Sequence, residues 1–137
     1  MNSESSKILV VDDDPLLRGL IREFLKLTGQ EVIEAGSGIQ ARSLIEAHQP
    51  DLVLLDVFMP DMSGLELCAW LRTEKNDGET AVLMMTGLAD NESIENAFDV
   101  GATDFIEKPF NNYLLQHRIH YLLLLWACSL QGVLKNE

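Results

Sequence analysis

Basic side chains are scarce in this sequence. Lysine and arginine together number 10, against 22 aspartates and glutamates, so the net charge is −12 over 137 residues. A protein that binds nucleic acid needs a basic face to meet the phosphates, and this composition argues against such a partner. The negative charge suits a ligand or partner that carries positive charge, including a metal ion.

Cysteine and long apolar runs are also scarce. The two cysteines, Cys68 and Cys128, lie far apart without metal-ligand spacing, as expected of reduced thiols in the cytoplasm. The longest apolar stretch, residues 121–128, is far shorter than the roughly 20 residues of a membrane span. Residues 1–6 are polar, lack a signal-peptide core and are expected to form a disordered tail. We therefore expect a cytoplasmic protein without membrane attachment.

Short apolar runs alternate with segments of helical periodicity along the rest of the chain. The predicted strands cover residues 7–11, 31–35, 51–56, 80–85 and 103–107. The predicted helices cover residues 14–28, 37–48, 63–75, 90–100 and 111–130. Strand-then-helix repeats in one domain of this length predict an α/β fold, a doubly wound parallel sheet with helices on both faces.

Capping residues support the predicted boundaries. Asp14, which precedes a proline, is typical of a helix N-cap, and Ser37 and Asp90 are plausible caps of the second and fourth helices. Gly29 and Gly101 follow the first and fourth helices, where a left-handed residue commonly ends a helix.

Acidic residues follow two predicted strands at the point where each ends. Asp12 and Asp13 follow the first strand, and Asp56 ends the third. Both strands are aliphatic enough to be buried on both faces, so a charge at either end is costly unless it lies at an open edge. If the two strands are neighbours, these carboxylates share one crevice, where Mg²⁺ relieves their repulsion. The alternative is a solvated turn plus a helix cap, the interpretation we prefer for Asp14.

Two further residues fall at the same edge of the predicted sheet. Thr86 follows the fourth strand and Lys108 follows the fifth. A hydroxyl and an ammonium that face a carboxylate and a metal ion describe a phosphoryl site, and a carboxylate can itself accept a phosphoryl group as a mixed anhydride. Taken singly, the two are a strand-end threonine and a surface lysine. The joint pattern is what favours a site.

Four segments resemble the signature segments of response-regulator receiver domains, the CheY-like modules of two-component signalling. They are ILVVDDDP (8–15), LLDVFMPDMSG (54–64), MMTG (84–87) and EKPF (107–110). The resemblance covers residues 7–121. It implies a flavodoxin-like (βα)5 sheet of strand order 2-1-3-4-5. It also implies a signalling domain that catalyses its own phosphorylation and turns over no separate substrate.

The resemblance assigns roles to the acidic residues. Asp56 is the expected phosphoacceptor, which takes the group from a sensor histidine kinase or a histidine phosphotransfer protein. Asp13, Asp56 and the backbone carbonyl of Phe58 are expected to bind Mg²⁺, with Asp12 bound directly or through water.

The resemblance also assigns a switch. Thr86 and Lys108 are expected to hold the phosphoryl oxygens, and the Lys108–Pro109 peptide bond is often cis in the family. Because a phosphoryl group adds about −1.5 to −2 charge, Thr86 can move towards it and leave room for Phe105. That movement would reshape the face of helix four, strand five and helix five. The rival interpretation makes Phe105 plain core.

The C-terminal residues 122–137 are predicted to extend the last helix, as a linker to an output domain outside this chain. The spacing of residues 119, 123, 126, 130 and 133 suits a coiled-coil seam, and core packing with a frayed tail fits as well. Residues 116–122 resemble regulators that continue into a diguanylate cyclase. A homodimer through the helix-four, strand-five and helix-five face or through the C-terminal helix fits this pattern.

Three other functions compete with this interpretation. A Mg²⁺-dependent phosphatase with an aspartate nucleophile usually carries a second acid two residues on, where this chain has Phe58. A flavin or nucleotide binder of similar fold needs a phosphate loop after the first strand, where three acids would repel a phosphate. A pseudo-receiver that serves only for contacts would not need so complete a site.

Overall fold

A computed structural model describes residues 6–87 and 90–130, with side chains described as far as residue 125. Within these residues five strands alternate with five helices. The strands are β1 (Lys7–Val11), β2 (Glu31–Ala35), β3 (Leu52–Asp56), β4 (Ala81–Thr86) and β5 (Asp104–Glu107). The helices are α1 (Pro15–Leu27), α2 (Gly38–His48), α3 (Gly64–Arg72), α4 (Asn91–Asp99) and α5 (Asn112–Leu130).

The predicted elements are therefore present, with small corrections at their ends. Helix α3 ends at Arg72 rather than at residue 75, because the chain turns away there and Asn76 takes a positive φ of 57°. Thr86 is the last residue of β4 and not the first residue after it. The predicted caps hold: Asp14, Ser37 and Asp90 each accept a hydrogen bond from a backbone N–H in the first turn of their helix.

The five strands form one parallel sheet of order β2-β1-β3-β4-β5. The predicted flavodoxin-like order is thus confirmed. Strand β1 lies beside β3, with Val11 opposite Leu55, and Thr86 at the end of β4 lies opposite Glu107 of β5. Since all strands run the same way, their carboxyl ends meet at a single edge of the sheet.

The core has two layers, one on each face of the sheet. Alternate residues of a strand point to opposite faces, and β1, β3 and β4 are buried on both. One face packs against buried residues of α2, α3 and α4, the other against α1 and α5. This is the doubly wound arrangement predicted from the strand-helix alternation. The central strands are rigidly held, so they fix the positions of the residues at their ends.

Two predictions concern the chain ends. Residues 1–5 and 131–137, which hold most of the predicted tail and the end of the predicted extension, lie outside the described residues. Helix α5 continues past residue 121 to Leu130. Of the proposed seam positions, Ile119 is buried and Leu123 packs against the same core layer, which favours core packing for these two. In the described part of the chain, no helix is both long and apolar enough to cross a membrane.

Gly64 generates a prediction about stability. A Cβ at this position would lie 2.3 Å from the backbone oxygen of Asp56, so Gly64→Ala must push the start of α3 away from the end of β3. We expect the free energy of unfolding in urea to fall by about 1–3 kcal/mol, the usual cost of overpacking. Gly78→Ala is the matched control, since a Cβ there meets nothing within 4 Å. Equal stability of the two variants would contradict the prediction.

Candidate functional site

Two aspartates lie at the adjacent ends of β1 and β3. Asp12 directly follows β1 and is fully buried, and its backbone N–H donates to the carbonyl of Ala35 at 3.2 Å. Asp56 is the last residue of β3 and is only 6% exposed. The backbone hydrogen bonds between β1 and β2 thus continue as far as Asp12. Both carboxylates therefore begin at the edge of the sheet, where little water reaches them.

Asp13 completes a cluster of three carboxylates. One oxygen each from Asp12, Asp13 and Asp56 lies within 4.8 Å of the other two. Asp13 is exposed, so the cluster opens to solvent on one side. Charges this close repel strongly away from bulk water. Such a group of hard oxygen ligands, open on one side for water, fits Mg²⁺.

Lys108 is the cation of the site. Its Nζ atom lies 2.9 Å from Oδ2 of Asp12 and 3.4 Å from Oδ1 of Asp56. Its backbone N–H donates to the carbonyl of Thr86 at 2.7 Å, and the Lys108–Pro109 peptide bond is cis. The lysine is therefore not a solvated surface residue: it bridges the carboxylates of two strands.

Burial and like charge dominate the electrostatics of Asp56. Burial raises the pKa of Asp56, and the nearby charge of Asp12 raises it further. Lys108 and the backbone N–H of Phe58, which donates to Asp56 Oδ1 at 3.4 Å, only partly offset this rise. Burial lowers the pKa of Lys108, but the hydrogen bond to Asp12 and the charges of both aspartates outweigh it, so the net shift is upward.

Thr86 and Phe105 lie on the two strands that follow β3 in the sheet, β4 and β5. Thr86 is buried at the end of β4. With Phe105 it lines a cavity of about 160 Å³ among β4, α4 and the start of the loop between β3 and α3, where Val57 and Phe58 lie. The ring of Phe105 is half-buried and meets the ring of Phe98 edge to face, with 6.2 Å between centroids. Phe105 is thus neither plain core nor fully exposed, and empty space adjoins it on the side of Thr86.

The structure therefore brings the predicted site residues to one edge of the sheet. Asp12, Asp13, Asp56 and Lys108 form direct contacts or a compact cluster. Phe58 follows Asp56 closely and contacts it through its backbone, while its side chain is 62% exposed.

Sequence reasoning missed hydrogen bonds made by two residues that lie close in the chain to the site aspartates. Arg18 donates through Nη1 to the backbone oxygen of Asp12 at 2.7 Å and through Nε to Glu34 at 3.0 Å. Asp61 accepts hydrogen bonds from two backbone N–H groups at the start of α2. No local sequence pattern indicates these hydrogen bonds, because the partners lie outside the element or loop that carries Arg18 or Asp61. The hydrogen bonds become visible only in the folded structure.

The raised pKa of Asp56 predicts that its charge lowers stability. A carboxyl group whose pKa is higher in the folded than in the unfolded protein costs stability above the folded pKa, and this cost disappears below the ordinary value of 3.8. Asp56→Asn should therefore raise the free energy of unfolding at pH 7 by about 0.5–2 kcal/mol, and the gain should shrink towards pH 4. Urea titrations with EDTA at both pH values measure it.

The control for this experiment is Glu95→Gln, which changes an exposed carboxylate in the middle of α4, away from the helix ends. That variant should leave the free energy of unfolding nearly unchanged at both pH values. A gain for Asp56→Asn that is equally large at pH 4, or a loss at pH 7, would contradict the prediction.

Comparison with known proteins places the chain in a family. A family model described as the response regulator receiver domain matches residues 8–120. The chain is 35% identical over 117 residues to the DNA-binding dual master transcriptional regulator RpaA of Synechocystis, which covers 85% of this chain and 48% of RpaA. It is 40% identical over 115 residues to the transcriptional regulatory protein CrdR of Helicobacter pylori, covering 82% and 53%.

Solved structures give the same result. The chain matches a CheY-like receiver domain of Methanospirillum hungatei with a TM-score of 0.86 and 29% identity, over 92% of this chain and 99% of the other. It matches the chemotaxis protein CheY4 of Vibrio cholerae with a TM-score of 0.83 and 30% identity, over 87% and 99%. The chain spans about half the length of the curated relatives it matches and nearly all of these receiver structures. It belongs to the family of response regulator receiver domains.

Proposed function

We propose that this chain is the phosphoacceptor module of a two-component response regulator and works in the cytoplasm. Its phosphodonor would be a phosphohistidine on a sensor histidine kinase or a phosphotransfer protein. The observation that carries this proposal is the position of the Lys108 ammonium, which lies between the carboxylates of Asp12 and Asp56 at the open edge of the sheet. That arrangement provides a nucleophile and a cation for the transferred group.

The transfer would be a displacement at phosphorus. An oxygen of the Asp56 carboxylate forms the new P–O bond, and the P–N bond of the phosphohistidine breaks with its electron pair going to the imidazole nitrogen. Lys108 would neutralise charge on the phosphoryl oxygens as they pass, and Thr86 would donate its hydroxyl hydrogen to one of them. The product is a mixed anhydride on Asp56.

The acidic cluster would hold the metal ion. Asp13, Asp56 and the backbone carbonyl of Phe58 are the proposed ligands, with Asp12 bound directly or through water. Their hard oxygens fit Mg²⁺, as the geometry above supports. When bound, Mg²⁺ supplies positive charge that offsets the carboxylates and the phosphoryl oxygens.

The cavity beside Thr86 supports a switch. At about 160 Å³ it is similar to an engineered apolar cavity that admits a benzene molecule. A phenyl ring is of that size, and the ring of Phe105 already lies at its wall. In the proposed switch, Thr86 moves towards the phosphoryl group, Phe105 turns into the cavity, and the α4–β5–α5 face changes shape.

Other assignments gain no support from the site. An aspartate-nucleophile phosphatase has its second acid two residues after the nucleophile, and this chain has Phe58 there. Phenylalanine has no acidic group that could donate a proton to a leaving group. The curated relatives RpaA and CrdR are called transcriptional regulators, not diguanylate cyclases, so an output domain of that kind stays a prediction. A homodimer through the α4–β5–α5 face or the C-terminal helix also stays a prediction, as does the division into tail, receiver domain and linker.

Phosphorylation of Asp56 tests the proposed function directly. Incubation with acetyl phosphate and Mg²⁺ should add one acid-labile phosphoryl group, visible by intact mass, and EDTA should prevent it. Asp56→Asn should abolish the modification because it removes the nucleophile, while Asp99→Asn, on an exposed helix face, should be modified normally. An Asp56→Asn protein that is still phosphorylated to the wild-type extent would sink the proposal.

The switch makes a second prediction. With 4-fluorophenylalanine at position 105, beryllofluoride and Mg²⁺ should shift the ¹⁹F resonance and reduce its solvent isotope shift, because the ring becomes buried. The same label at Phe24, which packs in the core layer on the other face of the sheet, is the control and should not respond. Thr86→Ala should keep phosphorylation of Asp56 but lose the Phe105 response. A Phe105 signal that ignores beryllofluoride in the wild type would mean that this ring is not the switch.

A further inference from the structure

The loop between β3 and α3 is held by a residue to which the proposed function assigns no part. We infer that Asp61 is a positioning residue of the metal site: it anchors this loop to the start of α2 and thereby fixes the Phe58 carbonyl. The inference rests on the proposed role of Phe58 as a Mg²⁺ ligand. It adds a residue that would touch neither the metal nor the phosphoryl group.

Asp61 caps a helix to which it does not belong. Its Oδ1 accepts from the backbone N–H of Gly38 at 3.1 Å, and its Oδ2 accepts from that of Ile39 at 3.0 Å. The first N–H groups of a helix lack partners within the helix, so the two bonds satisfy donors that would otherwise need water. These bonds also lower the pKa of Asp61 below its ordinary value of 3.8, because a carboxylate accepts them better than a neutral carboxyl group does.

The helix has its own cap as well. Ser37, the residue just before α2, accepts from the N–H of Gln40 at 3.1 Å. Ser37 and Asp61 therefore satisfy different donors of one helix end. Of these two residues, only Asp61 also connects that end of the helix to the loop that follows Asp56. Variants of Ser37 and Asp61 can therefore distinguish the effect of capping α2 from the effect of anchoring the loop.

A close steric fit reinforces the anchor. A Cβ on Gly38 would lie 2.8 Å from Cβ of Met62 and 3.0 Å from its sulfur. Met62 follows Asp61 directly, so the loop rests against the helix start at a distance that only glycine permits. A larger residue at position 38 would have to push the loop outwards.

The base of the loop is fixed too. The N–H of Gly64 donates to the carbonyl of Val57 at 2.8 Å. Phe58 lies between this closed base and the Asp61 anchor, and its N–H already donates to Asp56. Loss of the Asp61 bonds would free the middle of the loop while leaving its base closed. The Phe58 carbonyl would then have to be ordered when the metal binds, which weakens binding.

The test compares Asp61→Ala with Ser37→Ala. Both variants remove a cap from α2, so both should lower the midpoint of thermal unfolding. Only Asp61→Ala should raise the Kd for Mg²⁺, measured calorimetrically on the folded proteins, by about tenfold, as is common when a residue that orients a metal ligand is lost. Ser37→Ala should leave that Kd within about twofold, and Asp61→Asn, which keeps one acceptor oxygen, should lie between the two.

Several outcomes decide the inference. It is overturned if Asp61→Ala binds Mg²⁺ like the wild type, if Ser37→Ala weakens binding equally, or if the wild type binds no Mg²⁺. If Asp61→Ala fails to fold, Gly38→Ala displaces Met62 from the helix side and should raise the Kd in the same way; an unchanged Kd there overturns the inference. A wild type that binds Mg²⁺ but is never phosphorylated defeats the proposed function alone, since the Kd comparison still stands.

Discussion

Repulsion among three carboxylates at the end of a buried sheet is the constraint on which the rest of this structure depends. Asp12 and Asp56 are buried, and Asp13 lies within 4.8 Å of both. Lys108 contacts two of them but does not cancel the cost of Asp56, whose pKa stays raised. A fold that tolerates such a cluster must be stable elsewhere, and the two apolar layers around the central strands supply that stability.

Strand order decides which side chains meet. Because β1 lies between β2 and β3, and β4 and β5 follow on the same side, the ends of β1, β3, β4 and β5 are consecutive along one edge. The register then sets Thr86 opposite Glu107, one residue before Lys108. The central strands are paired on both sides, whereas the loops and α4 border a cavity of about 160 Å³. Space into which a side chain could turn therefore lies beside the sheet and not within it.

Much of this site could be predicted from the sequence, for a physical reason. An apolar run that ends in Asp or Thr marks both a buried strand and a polar group at its end, as at Asp56 and Thr86. Strand order came from a family resemblance, since periodicity cannot rank neighbours. Asp61 escaped prediction because its partners lie 23 and 22 residues away on another element. The early end of α3 escaped because a turn with Asn76 at positive φ follows it, closed by backbone hydrogen bonds from Lys75 and Asp77 to the carbonyls of Trp70 and Leu71, and helical periodicity does not reveal such a turn.

The charge repulsion within the carboxylate cluster is directly connected with the proposed phosphorylation of Asp56. Phosphorylation of Asp56 would remove one carboxylate charge from the cluster and return about −1.5 to −2 in its place. The added charge would lie near the buried Thr86 and within reach of Lys108. Since β3 and β4 are each paired with a strand on both sides, we expect the response to the added charge to come from side chains that border open space. Thr86 and Phe105 line the cavity of about 160 Å³ described above, together with Val57 and Phe58 at the start of the β3–α3 loop, so the added charge would be accommodated in the space that β4, α4 and this loop enclose.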